Sequence, residues 1–549
     1  MDLEELRTKI LKIHIDEMEQ IEKENPTVTM KAKLLPERKK QSKITYYTFM
    51  IINSTSKIKI ESLLEEKIYI NNEIKGTVID AYENKLVVSC GAFLKDVDYS
   101  LKRFINHNNV ILKRKFEESN LIDISSIYNE KLDKTAVKYV DLEIPINIDF
   151  YGTKLNKSQK MAIYSAIQGE NIKIVGPPGT GKTETIVEIL YQLLKHNKSV
   201  LICGPSNISV DNILERYMKY HYPPWTGDFF RLGSSTKGLI EYNLENLIDE
   251  ATKFIKKEKN EKNFERTKQK IILKYKKDFI KKSRLVFATL FSSLKVNQTY
   301  DVCIVDEACQ ASEIETFLAL SKAQSFVLAG DPYQINSSHN LYENLNLPTF
   351  LLNTQYRMSA NLIDFSNHHF YNSLIASIDK KEEQIDFLFR EKSILFIDTA
   401  YFDYNEISVG MSKMNYKEAV IIKKTIDFLK LKRYDGNIGI ITPYSAQTQC
   451  LNELIEIGKN ITINTVDGFQ GQERSIIIIS LVRSNEAEEY GFLSDEKRFN
   501  VAITRCQKGL IIVGDSLNFR KSKFFTKYFK YLDENTTVID PETFLSLLE

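Results

Sequence analysis

The stretch IKIVGPPGTGKTETIVEIL, from Ile172 to Leu190, decides how this chain can fold. Its first four residues predict a short buried strand, and the residues after Thr183 predict a helix. Between them, GPPGTGKT matches the P-loop both in sequence and in its strand-loop-helix context. The stretch therefore predicts an α/β domain that binds a chain of phosphates. It does not identify the reaction, because kinases, GTPases, protein unfoldases and nucleic-acid motors all contain such a loop.

The residue types in this loop explain how it would bind phosphates. Its glycines let the backbone wrap so that the amide groups point at the phosphates. Lys182 is expected to neutralise the β- and γ-phosphate oxygens, and Thr183 is expected to hold Mg²⁺. The loop predicted to bind the cofactor, ATP, consists of Gly176, Pro177, Pro178, Gly179, Thr180, Gly181, Lys182 and Thr183.

A second motif, DVCIVDEACQ at 301–310, predicts hydrolysis as well as binding. Its apolar residues predict a buried strand, with Asp306 and Glu307 at the carboxyl end. Asp306 is expected to reach Mg²⁺, and Glu307 is expected to orient and deprotonate water. The pair therefore completes a candidate hydrolytic site with Lys182.

Bulk properties narrow the class of protein. The chain has 549 residues, 43% hydrophobic and 27% charged, which indicates a soluble globular protein of three or four domains. The N-terminus, MDLEELRTKIL, is charged from its second residue and does not resemble a secretory signal. The longest aliphatic run, SIIIISLV, is too short to span a bilayer. Six cysteines without a CxxC pair argue against a zinc module or a disulfide framework, so we expect an intracellular protein, cytoplasmic or nuclear, with no membrane partner.

The periodicity of apolar residues predicts four parts. Residues 1–30 predict an amphipathic helix that serves as a strut, and residues 31–131 predict a small β-rich, barrel-like module. Residues 132–345 and 346–549 each alternate strands with helices, which predicts two α/β domains in tandem. The first of these contains the P-loop and a charged helical insertion at about 234–283.

Three later segments favour a nucleotide lying between the two α/β domains. LAGDPYQ ends in Gln334, an uncharged group suited to sensing the γ-phosphate. LNTQYRMS offers Tyr356 as a flat face for a base and Arg357 as a cation, and RFNVAITR offers Arg505 at the end of an apolar helix. Burying a guanidinium is costly unless an anion meets it. Two such arginines in the domain without the P-loop predict arginine fingers that reach across a cleft.

The ordered motifs resemble a superfamily 1 helicase of the up-frameshift-like group, which includes the nonsense-decay helicase, the immunoglobulin-mu-binding-protein helicase and senataxin. The matching segments are LNKSQ, GPPGTGKT, CGPSNISVDNI, VFATL, DEACQ, GDPYQ, QYRMS, ITPYSAQ, TVDGFQGQE and VAITRCQKG. The resemblance covers about Leu155 to Asp515. It implies two RecA-like domains and an ATP- and Mg²⁺-dependent motor. Such a motor is expected to be monomeric, to move 5′ to 3′ on single-stranded RNA or DNA, and to unwind duplex junctions.

The resemblance also assigns roles to residues at the matching positions. It implies that Gln159 contacts adenine, that Tyr356 stacks on it and that Glu473 meets the ribose. Gly471 would let the backbone approach the nucleotide, and the two arginines would hold the γ-phosphate. Contacts to nucleic acid in this family are mainly to the phosphate-sugar backbone and tolerate any sequence. The positions implied to line that track are Pro205, Ser206, Asn207, Thr289, Pro443, Tyr444, Thr465 and Val466.

The charge of the chain is concentrated in the insertion. From Ala251 to Ser283, thirteen cationic and four anionic side chains give a net charge of +9, whereas the whole chain has only +2. In the resembled family an insertion at this place lies over the path of the strand. We therefore expect it to grip nucleic acid with an affinity that falls steeply with salt. The alternative is a lysine-rich helix whose charged face is simply solvated.

Some features leave alternatives open. The segment after Gln334 lacks the Leu-Pro-Pro that usually follows this glutamine in the family. A protein-remodelling ATPase is one alternative, disfavoured because Thr183 and Asp306 are 123 residues apart and because there is a second α/β domain. A non-catalytic nucleic-acid clamp is the other, disfavoured because a clamp would not need Lys182 and Glu307. The sequence does not distinguish RNA from DNA as the track.

Overall fold

In the computed structural model the chain forms two compact units, Met1–Ser126 and Ile127–Glu549. The residues that it describes are 3–24, 29–41, 44–54, 67–70, 74–82, 85–90, 98–103, 128, 139–143, 148–152, 154–219, 229–235, 238–253, 264–377, 392–410 and 412–549. Within these ranges, no helix has both the length and the apolar character needed to cross a membrane.

The first unit contains a long helix and a closed barrel. Helix α1 (Leu3–Glu24) buries Leu6, Ile10 and His14, which share one face at four-residue spacing. The barrel strands are β1 (Thr29–Gln41), β2 (Ile44–Ser54), β3 (Lys67–Ile70), β4 (Ile74–Tyr82), β5 (Lys85–Cys90) and β6 (Asp98–Arg103). They pair in the antiparallel order β1-β2-β5-β4-β3-β6 and close on themselves. The structure thus confirms the N-terminal helix and the barrel-like module, whereas the strut role stays a prediction.

The second unit begins with a seven-stranded sheet. Its strands are β7 (Ile172–Val175), β8 (Val200–Gly204), β9 (Phe229–Leu232), β10 (Leu285–Thr289), β11 (Tyr300–Val305), β12 (Ala323–Gly330) and β13 (Thr349–Leu351). All pairs are parallel, in the order β13-β7-β12-β11-β8-β10-β9. Strands β7 and β8 are buried along their whole length, because helices cover both faces of a sheet of this kind. The carboxyl ends of the strands therefore share one edge.

Eight helices of the described residues accompany this sheet. They are α2 (Lys157–Ile167), α3 (Lys182–Lys195), α4 (Asn207–Lys219), α5 (Leu244–Thr252), α6 (Phe264–Lys282), α7 (Leu290–Ser293), α8 (Glu313–Leu320) and α9 (Leu341–Asn344). Helices α5 and α6 occupy the predicted insertion, which is helical in its described parts.

A second parallel sheet follows. Its strands are β16 (Ile394–Asp398), β19 (Ile438–Thr442), β20 (Ile461–Thr465), β21 (Arg474–Ser480), β22 (Cys506–Gly514) and β23 (Thr537–Ile539). They pair in the order β20-β19-β21-β22-β16-β23. Strands β14 (Thr354–Gln355) and β15 (Ala376–Ser377) form a small parallel pair, and β17 (Ile407–Val409) and β18 (Ser412–Met414) form a hairpin.

The helices around the second sheet are α10 (Ala360–Phe370), α11 (Tyr416–Leu431), α12 (Ser445–Leu454), α13 (Val466–Phe469), α14 (Glu496–Ile503), α15 (Lys523–Asn535) and α16 (Pro541–Leu548). Apolar side chains fill both faces of this sheet, with Phe396 and Ile479 on one face and Ile397 and Ile478 on the other. The two tandem α/β domains predicted from the sequence are thus present.

The structure corrects the expected end of the first α/β domain. Strand β13 pairs with β7, with Phe350 opposite Ile174, so the chain leaves the first sheet after Leu351 and not at residue 345. A three-residue strand directly after Pro348 is too short to produce a recognisable apolar period.

Candidate active site

The P-loop lies at the carboxyl edge of the first sheet, between β7 and α3. Gly179 and Gly181 have φ angles of 74° and 79°, a left-handed backbone that favours glycine. Thr180 closes the loop by donating from Oγ1 to the carbonyl oxygen of Pro177 at 2.7 Å. The loop therefore has the backbone form that an anion-binding turn requires.

Lys182 meets both predicted catalytic carboxylates. Its Nζ lies 2.7 Å from Glu307 Oε1 and 3.3 Å from Asp306 Oδ1. Glu307 follows β11 with a φ of 54°, a strained conformation for a non-glycine residue that occurs preferentially at functional sites. Gln310 supports it by donating from Nε2 to Glu307 Oε2 at 2.8 Å. In this arrangement the carboxylates hold the lysine near the place where phosphate oxygens would bind.

The pKa values of this cluster follow from burial and from the ion pair. Burial opposes the charged form of Lys182, but Asp306 and Glu307 together raise its pKa above the usual 10.5. Burial and the neighbouring Glu307 raise the pKa of the Asp306 carboxyl to about 6. Burial alone would raise the pKa of Glu307, but the ion pair with Lys182 holds that pKa below the usual 4.5. Glu307 is thus the carboxylate that stays ionised, as a base must.

The second α/β domain contacts the P-loop directly. The amide of Tyr356 donates to the carbonyl oxygen of Gly179 at 2.7 Å. A Cβ on Gly179 would lie 2.5 Å from Cβ of Arg357, so only glycine permits this approach. Arg357 donates from Nη1 to the carbonyl oxygen of Thr504 at 2.9 Å and from Nε to Glu473. The QYRMS segment is therefore seated against the phosphate-binding loop.

Arg505 enters the same cleft from the end of α14. Its side chain is buried, and burial together with nearby Arg357 lowers its pKa to about 10. One cleft of about 820 Å³ is lined by Lys182 and Glu307 on one wall and by Arg357 and Arg505 on the other, with Gln334 beside them. The lysine and the two guanidinium groups face a common space, as expected from the sequence.

The residues expected at the base and ribose also line this cleft. Gln159 donates from Nε2 to the carbonyl oxygen of Thr180 at 3.1 Å, and Asn156 donates to the hydroxyl of Tyr356 at 2.8 Å. Glu473, expected at the ribose, is instead bonded to Arg357 and, at 2.8 Å, to Gln507. Its carboxylate is thus the counter-charge of the Arg357 guanidinium in this structure.

Two contacts at this seam were missed by the sequence analysis. Gly471 has a φ of 74°, and its carbonyl oxygen accepts from Asn212 Nδ2 of the first domain at 3.3 Å. Asn156 also belongs to this group, because its bond to Tyr356 joins the two domains. Asn212 does lie within the quoted segment CGPSNISVDNI, yet nothing in that segment indicates its partner.

The predicted track residues of the first domain lie at the carboxyl ends of strands. Pro205, Ser206 and Asn207 follow β8, and Thr289 ends β10. Asn207 is held by Arg231, whose Nη2 donates to its Oδ1 at 2.8 Å. Since β8 and β10 are neighbours, these four residues share one edge of the first sheet.

The predicted track residues of the second domain differ in their exposure. Pro443, Thr465 and Val466 line a separate groove of about 500 Å³. Tyr444 is only 4% exposed and accepts from Arg483 Nη1 at 3.1 Å, and the side chain of Val466 is 3% exposed. Both side chains are therefore buried, although Val466 lines the groove, and the contact of these two residues with nucleic acid stays a prediction.

Phe492 is a groove residue that the sequence analysis did not single out. Its ring is 53% exposed and lies 5.5 Å from the ring of Tyr444 and 5.8 Å from the guanidinium of Arg498. It belongs to GFL in a stretch of no recognised motif, so its only signal was an aromatic residue beside glycine in a polar loop.

Comparison with known proteins identifies the family of this chain. Two sequence families, both described as AAA domain, match this chain. One matches residues 154–248 and 240–338, and the other matches residues 334–517. The DNA polymerase alpha-associated DNA helicase A of Saccharomyces cerevisiae is 31% identical, over 89% of this chain and 86% of that protein. A regulator of nonsense transcripts 1 homolog of Arabidopsis thaliana is 30% identical, over 70% of this chain and 34% of that protein. The chain belongs to the up-frameshift-like superfamily 1 helicases.

The relationship reaches archaea as well. A protein named as an uncharacterised ATP-dependent helicase of Methanocaldococcus jannaschii is 30% identical, over 74% of this chain and 75% of that protein. This superfamily 1 helicase thus shares most of its length with relatives that are named as helicases. The two matched AAA regions together include both walls of the cleft.

Proposed function

We propose that this superfamily 1 helicase hydrolyses ATP in the cleft between its two α/β domains and uses the hydrolysis to move along single-stranded nucleic acid. The carrying observation is that Lys182 of one domain and Arg357 and Arg505 of the other line one cleft. Closing such a cleft on a triphosphate and reopening it after hydrolysis would displace one domain relative to the other. Movement 5′ to 3′ as a monomer, at an intracellular site, is proposed from the family resemblance.

Each wall of the cleft has a distinct role in the proposed reaction. Lys182 would exchange its carboxylate partners for the β- and γ-phosphate oxygens, and the released Glu307 would take the proton of the attacking water. Arg357 and Arg505 would stabilise the charge that develops on the transferred phosphoryl group. Gln334, close to these groups in the cleft, would sense whether the γ-phosphate is present.

The residues also fit a magnesium ion. Asp306 and Thr183 supply a carboxylate and a hydroxyl in the cleft, and Mg²⁺ prefers one or two such oxygens together with phosphates and water. Bound Mg²⁺ would neutralise the phosphate charge. The pair Thr183 and Asp306 is accordingly proposed to hold it.

Two surfaces are proposed to carry the nucleic acid. The first is formed by the track residues after β8 and β10 and by the groove that Phe492 lines in the second domain. The second is helix α6, whose exposed residues include Lys270, Lys274 and Lys277. Cations contacting phosphates give affinity without sequence preference, which is what a translocating motor needs.

The test is stimulation of ATP hydrolysis. The purified chain should hydrolyse ATP many-fold faster with single-stranded oligonucleotide and should displace a strand from duplexes with a 5′ overhang but not a 3′ overhang. Matched RNA and DNA versions of each substrate determine which track is used. Stimulation by unfolded protein but not by oligonucleotide would support a protein-remodelling ATPase, and binding of oligonucleotide without phosphate release would support a clamp.

A further inference from the structure

A buried hydrogen-bonded chain leads out of the ATP cleft at Gln334. The side-chain amide of Gln334 donates to Asp331 Oδ2 at 2.7 Å, and the hydroxyl of Tyr371 donates to the same oxygen at 2.7 Å. Gln334 and Asp331 follow β12 of the first sheet, whereas Tyr371 ends α10 of the second domain. One carboxylate oxygen therefore joins the γ-phosphate side of the first domain to the second domain.

The chain continues to the helix that carries Arg505. Asn500 of α14 donates from Nδ2 to the carbonyl oxygen of Tyr333 at 2.8 Å and to the hydroxyl of Tyr371 at 3.4 Å. Its backbone carbonyl accepts from the hydroxyl of Thr504 at 2.7 Å. Asn500 lies just over one helical turn before Arg505. The path thus starts in the cleft at Gln334 and returns to the cleft at Arg505.

The residues of this hydrogen-bonded path are buried, so losing one of their hydrogen bonds is costly. Asp331 is 1% exposed, Tyr371 is 3% exposed and Asn500 is fully buried. In a site from which water is excluded, a polar group that loses its partner is left unsatisfied, so neighbouring bonds form or break together. A change in the partner of Gln334 would therefore be felt at Tyr371 and α14.

From this geometry we infer that Tyr371 and Asn500 are positioning residues that couple the state of Gln334 to the placement of Arg505. Neither residue lines the cleft, so neither is a catalytic residue. When a γ-phosphate engages Gln334, the bond between Asp331 and Tyr371 holds α14 so that Arg505 meets the same phosphate. The inference rests on the proposed nucleic-acid-stimulated ATPase and names how its two walls are kept in register.

The experiment is a double-mutant cycle on ATP hydrolysis with saturating single-stranded oligonucleotide. Tyr371→Phe removes one hydroxyl and keeps the ring, and should lower kcat about tenfold, because a bond to a charged group is lost, while KM for ATP changes less than about threefold. In a Gln334→Ala background the same substitution should change kcat less than about twofold, since the path is already broken.

A matched control is available in the same domain. Tyr528 is 1% exposed, and its hydroxyl has no hydrogen-bond partner among the described residues. Tyr528→Phe removes the same group from the same core, so its kcat should equal that of the parent protein. An effect of Tyr371→Phe equal to that of Tyr528→Phe would overturn the inference, as would a full tenfold loss in the Gln334→Ala background.

A second variant keeps the inference testable if Tyr371→Phe does not fold. Asn500→Ala breaks the chain one bond later and should show the same non-additivity with Gln334→Ala, whereas independent effects would overturn the inference. Failure of the proposed function is distinguishable, because the parent protein would then show no stimulation by oligonucleotide. A stimulated parent with additive variants rejects the coupling alone.

Discussion

Replacing Arg505 with glutamine should stabilise the nucleotide-free protein while removing most of its ATPase activity. Burial and nearby Arg357 lower the pKa of the Arg505 guanidinium from 12.5 to about 10. Since one pKa unit corresponds to about 1.4 kcal/mol, the charge costs roughly 3 kcal/mol before an anion binds. Arg505→Gln also loses the bonds from Nε to the carbonyl oxygen of Val501 and from Nη2 to the hydroxyl of Thr504. At about 1–1.5 kcal/mol for each bond from this charged donor, a net gain of at most about 1 kcal/mol remains.

The assay compares thermal melting without nucleotide and with Mg²⁺ and a non-hydrolysable ATP analogue. Without nucleotide, the melting temperature of Arg505→Gln should exceed that of the parent by at most about 4 °C, because a domain of about 200 residues gains about 2–4 °C per kcal/mol. The analogue should stabilise the parent more than the variant, because the phosphate supplies the missing anion. The kcat of the variant should fall by about 10³ or more, as for other arginine fingers.

Arg505→Lys is the control for charge. It keeps the cation without the planar fork, so it should not stabilise the nucleotide-free protein and should still hydrolyse slowly. The idea is that the buried charge of Arg505 is costly until a phosphate binds beside it. A glutamine variant that melts below the parent without nucleotide and hydrolyses ATP at the parent rate would refute it.

Further predictions concern the proposed base Glu307, the buried acid Glu418, and the two proposed nucleic-acid surfaces. Glu307→Gln should lower kcat by about 10²–10⁴ while ATP binding, measured by equilibrium titration, is retained, and hydrolysis at the parent rate would count against its role as base. Burial raises the pKa of the Glu418 carboxyl to about 8, so the folded protein keeps a proton that the unfolded chain releases above about pH 4.5. The stability that this proton contributes is fully present below that pH and is lost as pH rises through 8. Glu418→Gln should therefore flatten the dependence of the unfolding free energy on pH across this window, as measured by urea denaturation. An unchanged pH dependence would contradict the assignment. Phe492→Ala should weaken binding of a single-stranded oligonucleotide about tenfold but should have no effect on binding of an abasic oligonucleotide, because the ring stacks on bases. It should leave the slope of log affinity against log salt concentration unchanged, and a changed slope would exclude stacking. Lys274→Ala should instead lower the size of that slope by about one, because one phosphate contact is lost.

The chemistry of the site could be read from the sequence where it depends on short segments. The P-loop, the acidic pair after β11 and most strands of the two parallel sheets each result from residues that are adjacent in the chain. Local spacing alone can therefore specify such features. The short strand β13 and the end of the first domain could not be found in this way, because three residues between loops carry too little pattern.

The predicted track residues differ in how far their side chains are buried. Tyr444 and Val466 lie in segments that match the family, yet their side chains pack into the second domain. Phe492, which stands outside every recognised motif, is the exposed ring in the same groove. Motif membership therefore does not indicate which side chain of a segment faces solvent.

The sequence by itself determined the two α/β domains and predicted a phosphate-binding loop, a hydrolytic acidic pair and two arginine fingers on them. Only the tertiary structure decided which groups meet: Lys182 with Glu307, Arg357 with Glu473, and Asp331 with Tyr371. The physical reason is that backbone hydrogen bonding and apolar periodicity act over a few residues, whereas these contacts depend on how two separately folded sheets pack against each other.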